Sequence, residues 1–71
     1  MDLLNINLRA IRKRHRYSQE EFSQIMGVHV QTYYRWEKGQ IKPPRSAQIL
    51  AYVIDKSPTI RDEVEHIAGL Q

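Results

Sequence analysis

The 71-residue chain carries 11 Lys+Arg against 8 Asp+Glu, one Trp and no Cys. This length suits a single domain, expected to span residues 1–71 with a gyration radius of about 11 Å, and it leaves no room for a substrate cleft between domains. The absence of Cys excludes disulfides and thiolate metal sites. No apolar run approaches the ~20 residues of a membrane span, and the start, Met1 to Asn5, lacks the basic and apolar regions of a secretory signal. A cytoplasmic chain is expected. The charge is unevenly distributed: residues 9–45 hold nine Lys/Arg against three Glu, a balance of +6, and residues 46–71 hold two basic against four acidic side chains, a balance of −2. Such a split suggests an anionic partner for the first part and a different task for the second.

No stretch alternates polar and apolar residues as a half-buried strand does, so the chain reads as five short helices. The first is expected over about 4–15, with Leu4, Leu8 and Ile11 as its apolar stripe. The second follows Ser18, where Ser18-Gln19-Glu20-Glu21 forms a capping box and Tyr17 and Phe22 are spaced for a hydrophobic staple; it ends at Met26, before Gly27. The third covers about 30–38 and stops at Gly39. Pro43-Pro44 are expected to open the fourth, about 44–55, within its first turn. Ser57 as N-cap and Pro58 at the first position open the fifth, about 58–68.

Only two or three residues separate the second and third helices, so the two must cross steeply, and residues 18–39 have the length of a helix-turn-helix. At 100° per residue, Thr32, Tyr33 and Trp36 fall on one side of the third helix, with Glu37 beside them. Val30, Gln31, Tyr34, Arg35 and Lys38 fall on the other. The second side differs from the Glu/Lys mixture of an ordinary solvated face. A Gln amide matches adenine bidentately, an Arg fork matches guanine O6 and N7, and Val suits a thymine methyl. Basic residues flank the helix, from Arg12 to Arg16 before it and at Lys38, Lys42 and Arg45 after it, where they can hold phosphates.

Leu8-Arg9-Ala10-Ile11-Arg12, Ser18-Gln19-Glu20-Glu21-Phe22, Gly27-Val28 and Thr32 with Arg35-Trp36-Glu37-Lys38-Gly39 together resemble the Cro/C1 (Xre-type) helix-turn-helix family, over residues 8–55. The resemblance implies an all-α, compact five-helix, lambda-repressor-like DNA-binding domain. It implies base readout by Val30, Gln31, Tyr34 and Arg35, and phosphate contacts from Arg16, Ser18, Gln19, His29, Lys38, Lys42 and Arg45. It also implies a structural ion pair between Arg12 and Glu37. The chain departs from the family at His29, where the helix N-cap is usually Ser or Thr, and at Tyr34, where a small residue is common. The Lys42-Pro43-Pro44 opening is similar to that of antitoxins of the HigA and MqsA type.

One such motif reads only a few base pairs, so a homodimer on a palindromic double-stranded operator is expected. The fourth helix carries two apolar stripes: Ala47, Leu50, Ala51 and Ile54, enough for the core, and Ile49, Tyr52 and Val53. Tyr52, Val53, Ile60, Val64 and Ile67 are therefore candidates for a dimer interface. No cofactor, metal or catalytic group is expected: His15, His29 and His66 lie in separate segments, Glu20 and Glu21 point to different sides of a helix, and the glycines are isolated. The expected function is transcriptional repression, encoded by a bacterium or phage and exerted by occluding a promoter. The alternative is an antitoxin whose acidic residues Asp55, Asp62, Glu63 and Glu65 also dock a basic toxin.

Overall fold

The computed structural model describes residues 6–70, which form five α-helices and no strand. These are α1 (Leu8–Arg14), α2 (Gln19–Met26), α3 (Val30–Glu37), α4 (Arg45–Lys56) and α5 (Pro58–Ile67). Four starts are capped by side chains. Asn7 accepts from the Ala10 N–H at 3.0 Å. Ser18 accepts from the Glu21 N–H at 3.0 Å while Glu21 accepts from the Ser18 N–H at 2.8 Å, the reciprocal pair expected of the capping box. His29 accepts from the Gln31 N–H, and Ser57 from the Ile60 N–H at 3.3 Å. Pro44 is the N-cap of α4 and lies outside its first turn, so that helix starts one residue later than expected and has no side-chain cap. The expected contribution of Leu4 to the first helix lies outside the described residues. Among the described residues no helix is long and apolar enough to cross a membrane.

The core is built on a chain of aromatic rings. Tyr17 stacks on Phe22 with centroids 5.6 Å apart, which is the expected staple. Phe22 meets Tyr33 edge to face at 5.5 Å, and Tyr33 meets Trp36 in the same way at 6.1 Å, a geometry that ring pairs prefer. Leu8 and Ile11 of α1, Ile25 of α2 and Ala47, Ala51 and Ile54 of α4 close around these rings. Of the expected inner stripe of α4, Ala47, Ala51 and Ile54 are buried and Leu50 is half-buried against them, and one residue joins them. Gln48 is also buried, because its amide donates to the Pro43 carbonyl at 3.1 Å and ties the α3–α4 loop to the helix. Ser23, likewise buried, satisfies its hydroxyl on the Glu20 carbonyl at 2.7 Å. The helix α5 contributes no buried residue and rests on α4. It is fastened by the Tyr17 hydroxyl donating to Glu65 and by Arg61 donating to the Ile54 carbonyl at 2.8 Å.

The turn after α1 breaks a local rule. The Tyr17 N–H donates to the Arg12 carbonyl at 3.0 Å and the Arg16 N–H to the Lys13 carbonyl at 3.1 Å, the two bonds of a Schellman ending. The residue in the left-handed position is Arg16, with φ of 62°. The same ending after α2 and α3 uses Gly27 and Gly39. A side chain in this conformation costs about 1–2 kcal/mol, partly offset by the greater chain entropy that Gly would bring to the unfolded state. Arg16→Gly is therefore expected to raise stability by about 0.5–1 kcal/mol, seen as a higher urea midpoint at unchanged slope. An equal or lower midpoint would show that the turn is unstrained.

Candidate nucleic-acid interface

Gly27 takes φ of 73° directly after α2, which turns the chain within three residues into α3. Val28, in that turn, packs on the core. His29 then caps α3 through Nδ1, which accepts from the Gln31 N–H at 3.1 Å. The imidazole thus does the work usually given to Ser or Thr, and its Nε2 side remains for another partner.

The helix α3 has the two faces expected of it. Tyr33 and Trp36 are buried, and Thr32 is half-buried beside them. Gln31, Tyr34, Arg35 and Lys38 are exposed, while Val30 is half-buried. Val30, Gln31 and Tyr34 line a shallow depression on this outer face. The Lys38 ammonium lies 4.7 Å over the Tyr34 ring, a cation–π contact across one helical turn. Of the flanking residues, Arg16, Ser18, Lys42 and Arg45 are exposed and Gln19 is half-buried.

Glu37 anchors the end of α3 to α1 and α2. Its side chain is only 5% exposed and Arg12 opposite it is 12% exposed. Arg12 donates Nε to Oε2 at 2.7 Å and Nη2 to Oε1 at 3.3 Å. Its third donor reaches the Tyr17 carbonyl at 3.0 Å, on the α1–α2 turn. The Tyr33 hydroxyl donates to Glu37 Oε2. The Gln19 amide donates to Oε1 at 3.1 Å, so one N–H of the group expected on a phosphate is engaged inside the protein. Burial by itself would raise the Glu37 carboxyl. The hydrogen bonds from Arg12, Tyr33 and Gln19 outweigh it and hold the group below the usual carboxylate range. Burial, and then the bond to Glu37, raises the Tyr33 phenol.

A second carboxylate, on the half-buried Asp55, joins α1 to α4. Asp55 accepts from Arg14 at 2.6 Å and pairs with His15 Nε2 at 2.8 Å. The bonds from Arg14 and then His15 lower its pKa. Two of the four acidic residues read as an outward docking set are therefore used internally, Asp55 here and Glu65 on Tyr17. The sequence offered no spacing signal for either pair, since each partner lies 40 or more residues away.

The candidates for a dimer interface divide in the structure. Ile67 is 84% exposed, and Tyr52 and Ile60 are also exposed. Val53 is half-buried, and Val64 packs against the core of its own chain. Ile49, from the same outer stripe of α4, is exposed as well.

Residues 8–60 of the chain match a family model described as Helix-turn-helix. No curated protein and no solved structure matches the chain.

Proposed function

Because the chain belongs to the helix-turn-helix family, in its Cro/C1 form, and is thereby a DNA-binding transcription regulator, we propose that it is a sequence-specific repressor that binds a palindromic operator as a homodimer and occludes a promoter. The observation that carries this reading is the outer face of α3. Gln31, Tyr34 and Arg35 stand exposed together on a helix whose other face is locked into the core, and their side chains match base edges of the major groove. In this reading Val30, Gln31, Tyr34 and Arg35 meet bases. Arg16, Ser18, Gln19, His29, Lys38, Lys42 and Arg45 meet phosphates. The two α3 helices of a dimer enter successive turns of the groove, about 34 Å apart. The exposed Tyr52, Ile60 and Ile67 on α4 and α5 favour pairing through that side.

The test starts from duplexes selected out of a random pool by the wild-type protein. Arg35→Ala and Gln31→Ala are each expected to cost about 1–3 kcal/mol on the selected site and to leave binding to random DNA nearly unchanged. Lys42→Ala is expected to weaken both alike and to reduce the salt slope by about one unit. If Arg35→Ala kept the wild-type preference, α3 would not be the reading helix. Ile67→Glu, at an almost fully exposed side chain, should convert the sedimenting species from dimer to monomer; an unchanged dimer mass would exclude this patch.

A second reading, an antitoxin that also holds a basic toxin, draws support from Asp62 and Glu63, which line a shallow depression on α5 together with His66 and Ile67. Co-purification with the product of an adjacent gene separates it from the first.

A further inference from the structure

None of the residues of α5 is buried. Val64 and Ala68 reach the core but stay half-buried, and apolar contact is non-directional, so it fixes no angle by itself. Two polar bonds supply the direction. The first follows from Pro58. Ile54 is fully buried, so water cannot reach its carbonyl. In a continuous helix that carbonyl would accept from the residue four positions on, which is Pro58 and has no N–H. A buried carbonyl needs a partner, and the Arg61 guanidinium supplies it at 2.8 Å. The break between α4 and α5 is thereby closed by a side chain of α5. The second bond runs from the Tyr17 hydroxyl to Glu65. Tyr17 precedes the N-cap of α2 and stacks on Phe22, which meets Tyr33 of α3. Arg61 and Glu65 stand four positions apart, on one face of α5. The exposed Ile60 and Ile67 stand seven apart, on a different side of the same helix.

We propose that Arg61 and Glu65 are positioning residues for operator recognition: by fixing the angle of α5 they set the half-site spacing that the protein accepts. This inference rests on the reading of a homodimer that pairs through α4 and α5 and reads two half-sites with α3. In such a dimer Ile60 and Ile67 belong to the interface, and α5 joins that interface to the reading helix. Arg61 ties α5 to the end of α4. Glu65 ties it to Tyr17 and, through the chain of rings, to the inner face of α3. A swing of α5 would turn one protomer against the other and displace both α3 helices. Both anchors are hydrogen bonds, which weaken steeply once bent below about 120°. They therefore oppose a swing that the apolar contacts would tolerate. Neither residue has to touch DNA for this.

The test uses the selected duplex, the same site with its centre one base pair longer or shorter, and a single half-site. One base pair moves the half-sites by about 3.4 Å and turns them by about 35°. Wild type should bind the altered spacings about tenfold or more weakly, because the DNA must be distorted to restore the register. Arg61→Met keeps the stem and removes the guanidinium. It should cut that penalty about fivefold, the factor for one net hydrogen bond. Tyr17→Phe keeps the stacked ring and removes the hydroxyl, and should do the same from the other anchor. Both variants should bind the single half-site as wild type does and keep the dimer mass in sedimentation, which separates positioning from support of the fold. Arg61→Lys, which can still donate to the Ile54 carbonyl, should restore much of the penalty. If Arg61→Met failed to fold, Tyr17→Phe alone would decide. Variants that kept the full wild-type penalty, or that lost affinity equally on every duplex including the half-site, would refute the positioning role. A wild-type dimer indifferent to spacing would refute it as well and leave the dimer reading intact. A wild-type protein that sedimented as a monomer would overturn the dimer reading and the positioning role together.

Discussion

Glu37→Ala is expected to destabilise the protein by about 3–5 kcal/mol, the usual consequence of deleting one partner of a buried ion pair. Three donors converge on this carboxylate: Arg12, the Tyr33 hydroxyl and the Gln19 amide. Without it a guanidinium is left 12% exposed with no counter-charge, and a phenol on a fully buried ring loses its acceptor. A chain of this length has a total stability of about 4–10 kcal/mol, so the loss would remove a large share of it. Urea unfolding would show the midpoint collapsing, and a loss below about 1 kcal/mol would mean that water replaces the carboxylate freely. The pH dependence gives an independent check. Glu37 is held below its ordinary value in the folded state, so its contribution is complete above about pH 4.3 and is lost as pH falls through the lowered folded value. The stability gap between wild type and Glu37→Ala should therefore narrow in acid. A gap that stayed constant down to the lowest pH at which both fold would mean that folding does not lower the Glu37 pKa.

Phe22→Ala is expected to cost about 3–5 kcal/mol, the range for emptying a buried aromatic site. Phe22 is completely buried and touches the ring before it and the ring after it in the aromatic chain. Its removal uncouples Tyr17, at the start of the helix-turn-helix, from Tyr33, on the inner face of α3. Phe22→Leu keeps much of the volume and should cost distinctly less, about 1–1.5 kcal/mol. Thermal unfolding of the pair would decide the point: equal losses would indicate that the ring contacts to Tyr17 and Tyr33, and not the cavity, govern this site.

The parts of the molecule that were legible in the sequence are those encoded over short distances. The capping box at Ser18 and Glu21, the Tyr17–Phe22 staple, the stop at Gly39 and the division of α3 into two faces each depend on residues within about one or two turns of one another. Local rules suffice there. Arg12 and Glu37 are 25 positions apart, and they were assigned through resemblance to a family and not from spacing. The remaining contacts arise only when helices pack. The bond from Tyr17 to Glu65, the Arg14 and His15 contacts to Asp55 and the burial of Gln48 have no periodic signature. Val64 shows the limit from another direction. It does lie in an apolar stripe, but a stripe does not say whether its own chain or a second one will cover it. His29 shows how chemistry can replace a preferred residue type, since its imidazole nitrogen accepts the Gln31 N–H, one position nearer than the N–H groups that Ser18 and Ser57 reach.

Arg16 has a consequence for selection. A screen that rewards only resistance to heat should drive this position toward Gly, because the left-handed backbone there penalises every side chain. Under the proposed phosphate role of Arg16, the same screen would discard a contact with DNA. The most thermostable descendants would then be the weaker regulators, and the trade between folding and activity would be concentrated in a single surface turn.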